Sequence, residues 1–163
     1  MSQNDTTPTG TSEAPLVFFY EREFYPLSNF SAFRLAWAGH DFDTSEAAYH
    51  WEKFPHMPLV RQDIMAARSA HEAFKIAEAF KDRRRSDWDV IKCDRMLSIL
   101  FEKVGQHEYV RRKLLETGDR YLVEDSWRDA FWGWGPNKNG QNMLGKLWMR
   151  VRQEIREKNN AAT

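Results

Sequence analysis

Glu46, His50 and Lys53 stand at i, i+4 and i+7 in the stretch Thr44-Ser45-Glu46-Ala47-Ala48-Tyr49-His50-Trp51-Glu52-Lys53-Phe54, so on a helix they share one face. Glu52 points away from that face. A carboxylate in the first turn of a helix meets the positive end of the helix dipole, which favours its anionic form. Such a group suits a reaction that builds positive charge beside it. The same spacing also suits a capping glutamate on a solvated, salt-laced helix face, and spacing alone favours that plainer reading.

Three further segments carry chemistry-bearing residues. Lys81-Asp82-Arg83-Arg84-Arg85-Ser86-Asp87-Trp88 leads basic residues into a helix start, where guanidinium forks and free backbone N–H groups make a phosphate site. It reads equally as a cation-dressed helix end followed by a solvated loop. Trp88 either stacks on a base or packs in the core. The run from Asp129 to Gly145 (DAFWGWGPNKNGQNMLG) is an aromatic, glycine-rich loop opening on a helix. Glycines such as Gly133 let backbone approach a ligand, and Trp132 offers a stacking wall. A long irregular loop of this kind is more often a binding loop than a plug for the core. Tyr25-Pro26-Leu27-Ser28-Asn29-Phe30 is turn chemistry that sets Ser28 and Asn29 between two aromatics.

The elements that must position these groups follow from periodicity. Leu16 to Tyr20 is strand-like, and Phe33 to Trp37 turns through Ala38-Gly39 into His40-Asp41-Phe42 as a hairpin. Asp43 with Glu46 forms a capping box that opens a helix over 44–54, ended by Pro55 and Pro58. Further helices are expected over 59–69 and 71–82. Another is capped by Ser86 and ended by Gly105, with Val90, Cys93, Leu97, Leu100, Phe101 and Val104 on one face. A shorter helix covers 107–117, Tyr121 to Val123 is a strand, and a final helix runs over 142–157, capped by Asn142, with Leu144, Leu147, Trp148, Val151 and Ile155 as its buried stripe. Residues 1–14, rich in Ser, Thr, Asn, Asp, Gly and Pro, read as a disordered tail, and 159–163 as a flexible end. The sum is one α+β domain over 15–158, mainly helical, with a small antiparallel β-sheet.

Composition narrows the function classes. The 163 residues suffice for one domain with a real core, and 42% apolar with 14% aromatic residues argues against disorder. Twenty-four Lys and Arg balance 24 Asp and Glu, so no global charge drives the chain to nucleic acid or an anionic membrane; Arg83 to Arg85 leave nucleic acid open without favouring it. The longest early apolar stretch is too short to span a bilayer. A single cysteine, Cys93, and the lack of a signal-peptide pattern fit a cytoplasmic setting. Histidines and the cysteine lack paired zinc spacing, so neither metal nor other cofactor is expected. The oligomeric state is not readable from these features.

In order along the chain, Leu27-Ser28-Asn29-Phe30, Thr44-Ser45-Glu46 through Lys53-Phe54, Arg85 and Trp88, Leu122-Val123-Glu124, Asp129 through Trp132-Gly133, and Gly140 through Asn142, Leu144-Gly145 and Leu147 with Arg152 resemble the YbiA-like proteins, also called the NADAR superfamily. The resemblance spans about residues 17–157. Two departures stand out: Ala47 follows Glu46 where the family often has His, and His50 stands where it often has Gln. Trp134 makes the loop more aromatic than the family pattern.

The resemblance implies an N-glycosidase acting on ribosylaminopyrimidine 5′-phosphate intermediates of riboflavin biosynthesis, releasing ribose 5-phosphate and the pyrimidine. Other branches of the family resemble enzymes that remove ADP-ribose from nucleobases. Either partner is a small ribosyl or ADP-ribosyl substrate; a non-catalytic nucleotide-binding module is the remaining alternative. Breaking an N-riboside builds positive charge at C1, so the site needs an anion there, a polarised water and donors for the departing base. On this view Glu46 stabilises the cation or activates water, and Asp129 is the second carboxylate. Trp88 and Trp132 sandwich the pyrimidine, Asn29 and Asn142 hold ribose or base edges, and Lys53 and Arg85 hold the 5′-phosphate, with His50 and Gly133 beside the ligand.

Overall fold

Ala38 and Gly39 both carry positive φ, +50° and +79°, which is the backbone a two-residue turn needs to match the twist of its strands. A computed structural model describes residues 15–20 and 22–163, so the tail expected over 1–14 lies outside the described residues. In it that turn joins β2 (Leu35–Trp37) to β3 (His40–Phe42) as the expected antiparallel hairpin. A second pair is parallel: β1 (Leu16–Phe18) lies beside β4 (Tyr121–Val123), with Val17 opposite Leu122. A parallel pair needs a long crossover, and here nearly the whole helical part of the chain supplies it.

Among the described residues six helices make up most of that crossover and the C-terminal end: α1 (Ser45–Glu52), α2 (Pro58–Ala66), α3 (Ala70–Ala79), α4 (Trp88–Gln106), α5 (Glu108–Glu116) and α6 (Met143–Ala161). A 3₁₀ helix, Arg22–Leu27, precedes the Ser28-Asn29 turn, and another, Lys81–Arg83, follows α3. Pro58 begins α2 rather than only ending α1, because proline at the first helical position gives up an N–H that has no partner there anyway. The final helix runs on to Ala161, past the expected end at 157, and buries the expected stripe. The architecture is α+β, dominated by helix.

The long helix α4 departs from expectation in phase and in both ends. Its buried residues are Trp88, Met96, Ile99, Leu100, Lys103 and Val104, whereas Val90 is 82% exposed and Cys93 is only partly covered. The inner face runs through Met96, Ile99 and Lys103, because the hydroxyls and carbonyl of the 28–31 turn and Ser45 satisfy the lysine inside the fold. The helix starts at Trp88, not after a Ser86 cap, and passes through Gly105 to Gln106. Glycine inside a helix costs only about 1 kcal/mol, and Gln106 offsets it by bonding both N–H and C=O of Ala36 in β2 at 2.8 Å.

The shortest helix of functional interest is also the most enclosed. All eight residues of α1 are buried, because α2, α3 and α4 pack around it. Its polar side chains therefore cannot form a solvated face, and each has a partner. Glu52 accepts from Trp37 Nε1 at 2.7 Å and pairs with Arg95 at 3.5 Å; Ser45 donates to Asn29; Glu46 and His50 bond each other. The plainer reading of this segment as a salt-laced exposed face is thereby overturned.

Candidate active site

Thr44, not Asp43, caps α1: its Oγ1 accepts from Ala47 N at 3.1 Å. The cap one residue later puts Ala47 at the third helical position, so no capping box forms. Glu46 is released from backbone duty. Its own N–H donates to Asn29 O at 3.1 Å, and its side chain lines a cavity of about 680 Å³. The volume lies within the range of small-molecule sites.

Glu46 is 9% exposed and its side chain meets His50 at 2.6 Å between Oε1 and Nε2. A carboxylate oxygen only accepts, so Nε2 carries the proton and donates. His50 is 3% exposed, and its Nδ1 is buried with no partner. Burial holds His50 below the ordinary histidine range, with Glu46 opposing that shift in part. The ring is therefore a neutral, single-tautomer donor that leaves Glu46 Oε2 for the cavity.

Three more carboxylates line the same cavity: Glu124, Asp129 and Glu78, the last beside Lys81. Glu124 follows β4, is 6% exposed, and has its pKa pushed up to about 8 by burial and then by the charges of Glu46 and Asp129. Near neutrality it carries a proton that it can give away. Asp129 Oδ1 accepts from both Phe131 N and Trp132 N at 2.8 Å, so half of that carboxylate is spent on shaping the loop. Among the described residues no three His, Cys, Asp or Glu side chains converge to hold a metal ion.

Cations gather past the far end of α1. Lys53, Lys81, Arg84 and Lys92 line the cavity there. Arg84 and Lys92 share Asp89, each at 3.3 Å, and Lys81 reaches Glu78 at 4.0 Å. Lys53 makes no ion pair among the described residues; its Nζ lies 5.0 Å from the Tyr49 ring and 5.7 Å from that of Trp88. Burial lowers its pKa to about 8, partly countered by Glu46, and Arg84 lowers it further. A ligand anion here would restore the full charge.

An aromatic wall lines the same cavity. Tyr49 packs on Trp88 at 5.1 Å and on Trp132 at 5.6 Å, and its hydroxyl accepts from Trp132 Nε1 at 3.2 Å. Burial raises the Tyr49 phenol well above its ordinary range, so it stays neutral. Trp88 is 2% exposed, so protein already covers its faces; half-buried Trp132 keeps surface toward the cavity. Asn29 also lines the cavity. Its Oδ1 accepts from Ser45 Oγ at 3.0 Å, and its Nδ2 has only Met96 Sδ at 3.4 Å, so a ligand oxygen would be a better acceptor.

Three expected site residues are turned elsewhere. Arg85 bonds Asp87 at 2.6 Å outside the main cavity, and only its N–H, donated to Lys53 O at 2.7 Å, serves the site; Arg84 is the member of the run that faces in. Asp87, occupied by Arg85, does not cap α4. Asn142 spends its amide on Leu122 O and Glu124 N at 2.8 and 2.9 Å, and so neither caps α6 nor reaches the cavity. Gly133 lies against the Glu124 backbone: a Cβ there would stand 2.7 Å from Glu124 O and 2.9 Å from Asp129 O. Both residues act by placing Glu124.

Glu124 and Tyr49 were legible but unassigned. Tyr49 is i+3 from Glu46 and i−4 from Lys53, so the same face arithmetic reaches it. Glu124 lay inside one of the resembling segments, with nothing in its spacing to reveal burial beside two carboxylates.

The family model of the NADAR domain matches residues 18–156. The chain belongs to the NADAR family. It is 36% identical to an N-glycosidase of Nostoc punctiforme, over 86% of this chain and 92% of that protein. A riboflavin biosynthesis protein of Vibrio vulnificus is 34% identical over 89% of this chain, which spans only 40% of that longer relative. The NMR structure of YbiA from Escherichia coli superposes with a TM-score of 0.81 at 28% identity, covering 91% of this chain and 89% of YbiA. This NADAR chain is thus YbiA-like in sequence and fold, and the class of enzyme its fully spanned relatives support is an N-glycosidase.

Proposed function

We propose that this NADAR chain hydrolyses the N-glycosidic bond of a ribosylaminopyrimidine 5′-phosphate, an intermediate of riboflavin biosynthesis, to ribose 5-phosphate and the free pyrimidine. The observation that carries the reading is one cavity that gathers the carboxylates Glu46, Glu124 and Asp129, the cations Lys53, Lys81, Arg84 and Lys92, and the rings of Tyr49, Trp88 and Trp132, with Glu78 paired to Lys81 and Arg128 next to Asp129 also in its lining. An N-riboside 5′-phosphate calls for those three kinds of group: an anion where charge develops at C1, cations for the phosphate and a ring for the base.

Lys53, which makes no ion pair among the described residues, takes the phosphate with Arg84 beside it. Trp132 supports the pyrimidine, and Asn29 Nδ2 donates to a ribose or base oxygen. Glu124 donates its proton to the departing nitrogen as the C1–N bond breaks. Water attacks C1, and Glu46 Oε2 accepts its proton while the carboxylate offsets the charge on the sugar. Water supplies the new C1 hydroxyl, Glu124 supplies the hydrogen on the leaving amine, and Glu46 returns a proton to Glu124 through solvent.

A second reading, removal of ADP-ribose from a modified nucleobase, is favoured by Tyr20, Phe30 and Trp127. These line the cavity yet are 39%, 40% and 61% exposed, rings a small riboside leaves unused. Incubation with each substrate class separates the two: ribose 5-phosphate appears under the first, ADP-ribose under the second. Glu46→Gln loses roughly a hundredfold or more in turnover. Near-normal hydrolysis by a folded Glu46→Gln protein would remove Glu46 from the chemistry.

A further inference from the structure

Beside Glu46, Ser28, Asn29, Ser31, Ser45 and Lys103 form a buried polar cluster. Lys103 is 0% exposed on the inner face of α4. Its ammonium donates to Ser28 O and Ser31 Oγ at 2.9 Å and reaches Ser45 Oγ at 3.5 Å. It forms no ion pair among the described residues; the aromatic face of Phe33 lies 5.5 Å away. A buried ammonium without a counter-charge costs the fold stability, and burial brings its pKa down to about 7.

The serines do not need Lys103 for their own satisfaction. Ser31 Oγ donates to Ser28 O at 2.6 Å, and Ser45 Oγ donates to Asn29 Oδ1 at 3.0 Å. Removing the ammonium leaves both hydroxyl protons placed. What it would remove is the junction of three segments: the 28–31 turn, the first residue of α1, and α4. That junction sets the two groups facing the ligand. Asn29 O receives Glu46 N–H at 3.1 Å, and Asn29 Oδ1 receives the hydroxyl of Ser45, the residue before Glu46.

We propose that Lys103 is a positioning residue, whose amino group locks the 28–31 turn onto the start of α1 so that Asn29 and Glu46 face the cavity in fixed register. The proposal rests on the reading of Glu46 as the reacting carboxylate. It accounts for a fully buried amino group on the inner face of α4, a position whose neighbours on that face are apolar. Function, not stability, retains it.

Lys103→Met in the full chain tests this, since it deletes the amino group at similar length. Turnover of the ribosylaminopyrimidine 5′-phosphate is expected to fall roughly ten- to a hundredfold, as misplacement of reacting groups does, with KM within about twofold because Lys53 and Arg84 are untouched. The melting temperature stays level or rises, and hydrogen exchange at the Glu46 amide quickens. Turnover within about twofold of wild type with unchanged exchange would overturn the proposal, as would turnover, KM and melting temperature worsening together. If Lys103→Met does not fold, Ser45→Ala decides: lower turnover at an unchanged melting temperature supports the junction, and full turnover refutes it. Should the wild-type protein release no ribose 5-phosphate, the activity reading fails, and the exchange rate at Glu46 still judges Lys103.

Discussion

Glu124 and Glu46 are both glutamates within one cavity, yet their surroundings suit them to opposite tasks in the proposed hydrolysis. Glu46 meets a neutral imidazole donor and a helix start. Glu124 meets burial and two like charges that keep its proton on near neutrality. With Glu124 as the proposed acid, kcat is expected to fall as pH rises through about 8, the pKa that burial imposes. Glu124→Gln is expected to lower kcat roughly a hundredfold and to flatten that basic limb; a limb that persists unchanged assigns the acid elsewhere. Lys53 titrates in the same region, but in the proposed function its loss of charge is expected to weaken phosphate binding and to enter through KM. At His50 only the Nε2–H is used, so His50→Gln, which also presents an N–H donor, is expected to keep kcat within about tenfold, whereas His50→Leu leaves Glu46 without its donor and loses more, since an orphaned buried carboxylate is costly. Steady-state rates of the two variants, normalised to folded protein, settle the comparison.

Among the elements, α1 and the loop after β4 do most of the placing. The helix holds Glu46 at its first turn and sets Lys53 just past its end, about 10 Å apart along the axis at 1.5 Å per residue, so one short element supplies both a carboxylate and a cation to the cavity. The loop does its part through backbone contacts. Gly133 N–Cα–C lies so close to Glu124 and Asp129 that any side chain must push their carbonyls away. Gly133→Ala is therefore expected to cost about 1–3 kcal/mol of stability, the usual range for overpacking, measured by urea unfolding. Because the displaced carbonyls belong to two cavity carboxylates, turnover falls further than stability does; a variant that loses stability alone would show the loop to be scaffolding only. Asn142 clamps the other side of that loop by bridging Leu122 and Glu124.

For the whole molecule, two kinds of buried charge pull stability in opposite directions with pH. Glu124 has a folded pKa raised from 4.5 to about 8, so between those values the unfolded chain is ionised while the fold keeps the proton, and stability falls as pH rises. Lys53 and Lys103 have folded pKa values lowered from 10.5 to about 8 and about 7, so above those values the fold gives up protons that the unfolded chain retains, and stability rises with pH. The contribution of these groups is therefore least favourable between about pH 7 and 8. Glu124→Gln is expected to flatten the decline between pH 5 and 8 in denaturant melts, and an unchanged slope would show that Glu124 does not hold its proton in the fold.

Most helices, the β2–β3 hairpin and the α6 stripe were legible in the sequence because they depend on neighbours three, four or two positions away. So were Glu46, Lys53, Asn29, Trp132 and Asp129 as cavity residues, through motif and resemblance. What local spacing does not encode is which helix ends up surrounded. Packing on three sides of α1 turned a charged-looking segment into an enclosed one, and burial, not sequence, gave Glu124 its proton and Lys53 its weakened hold on one. The same holds for choices between adjacent groups. Arg84 faces the cavity and Arg85 does not, Thr44 caps where Asp43 was expected, and Lys103 points into the core, because each is decided by partners far away in the chain. Glu46 stood out only through the ordered motifs around it, and its shared face with Lys53 followed from helical spacing; that it shares a cavity with Glu124 and Asp129 is the work of the tertiary fold.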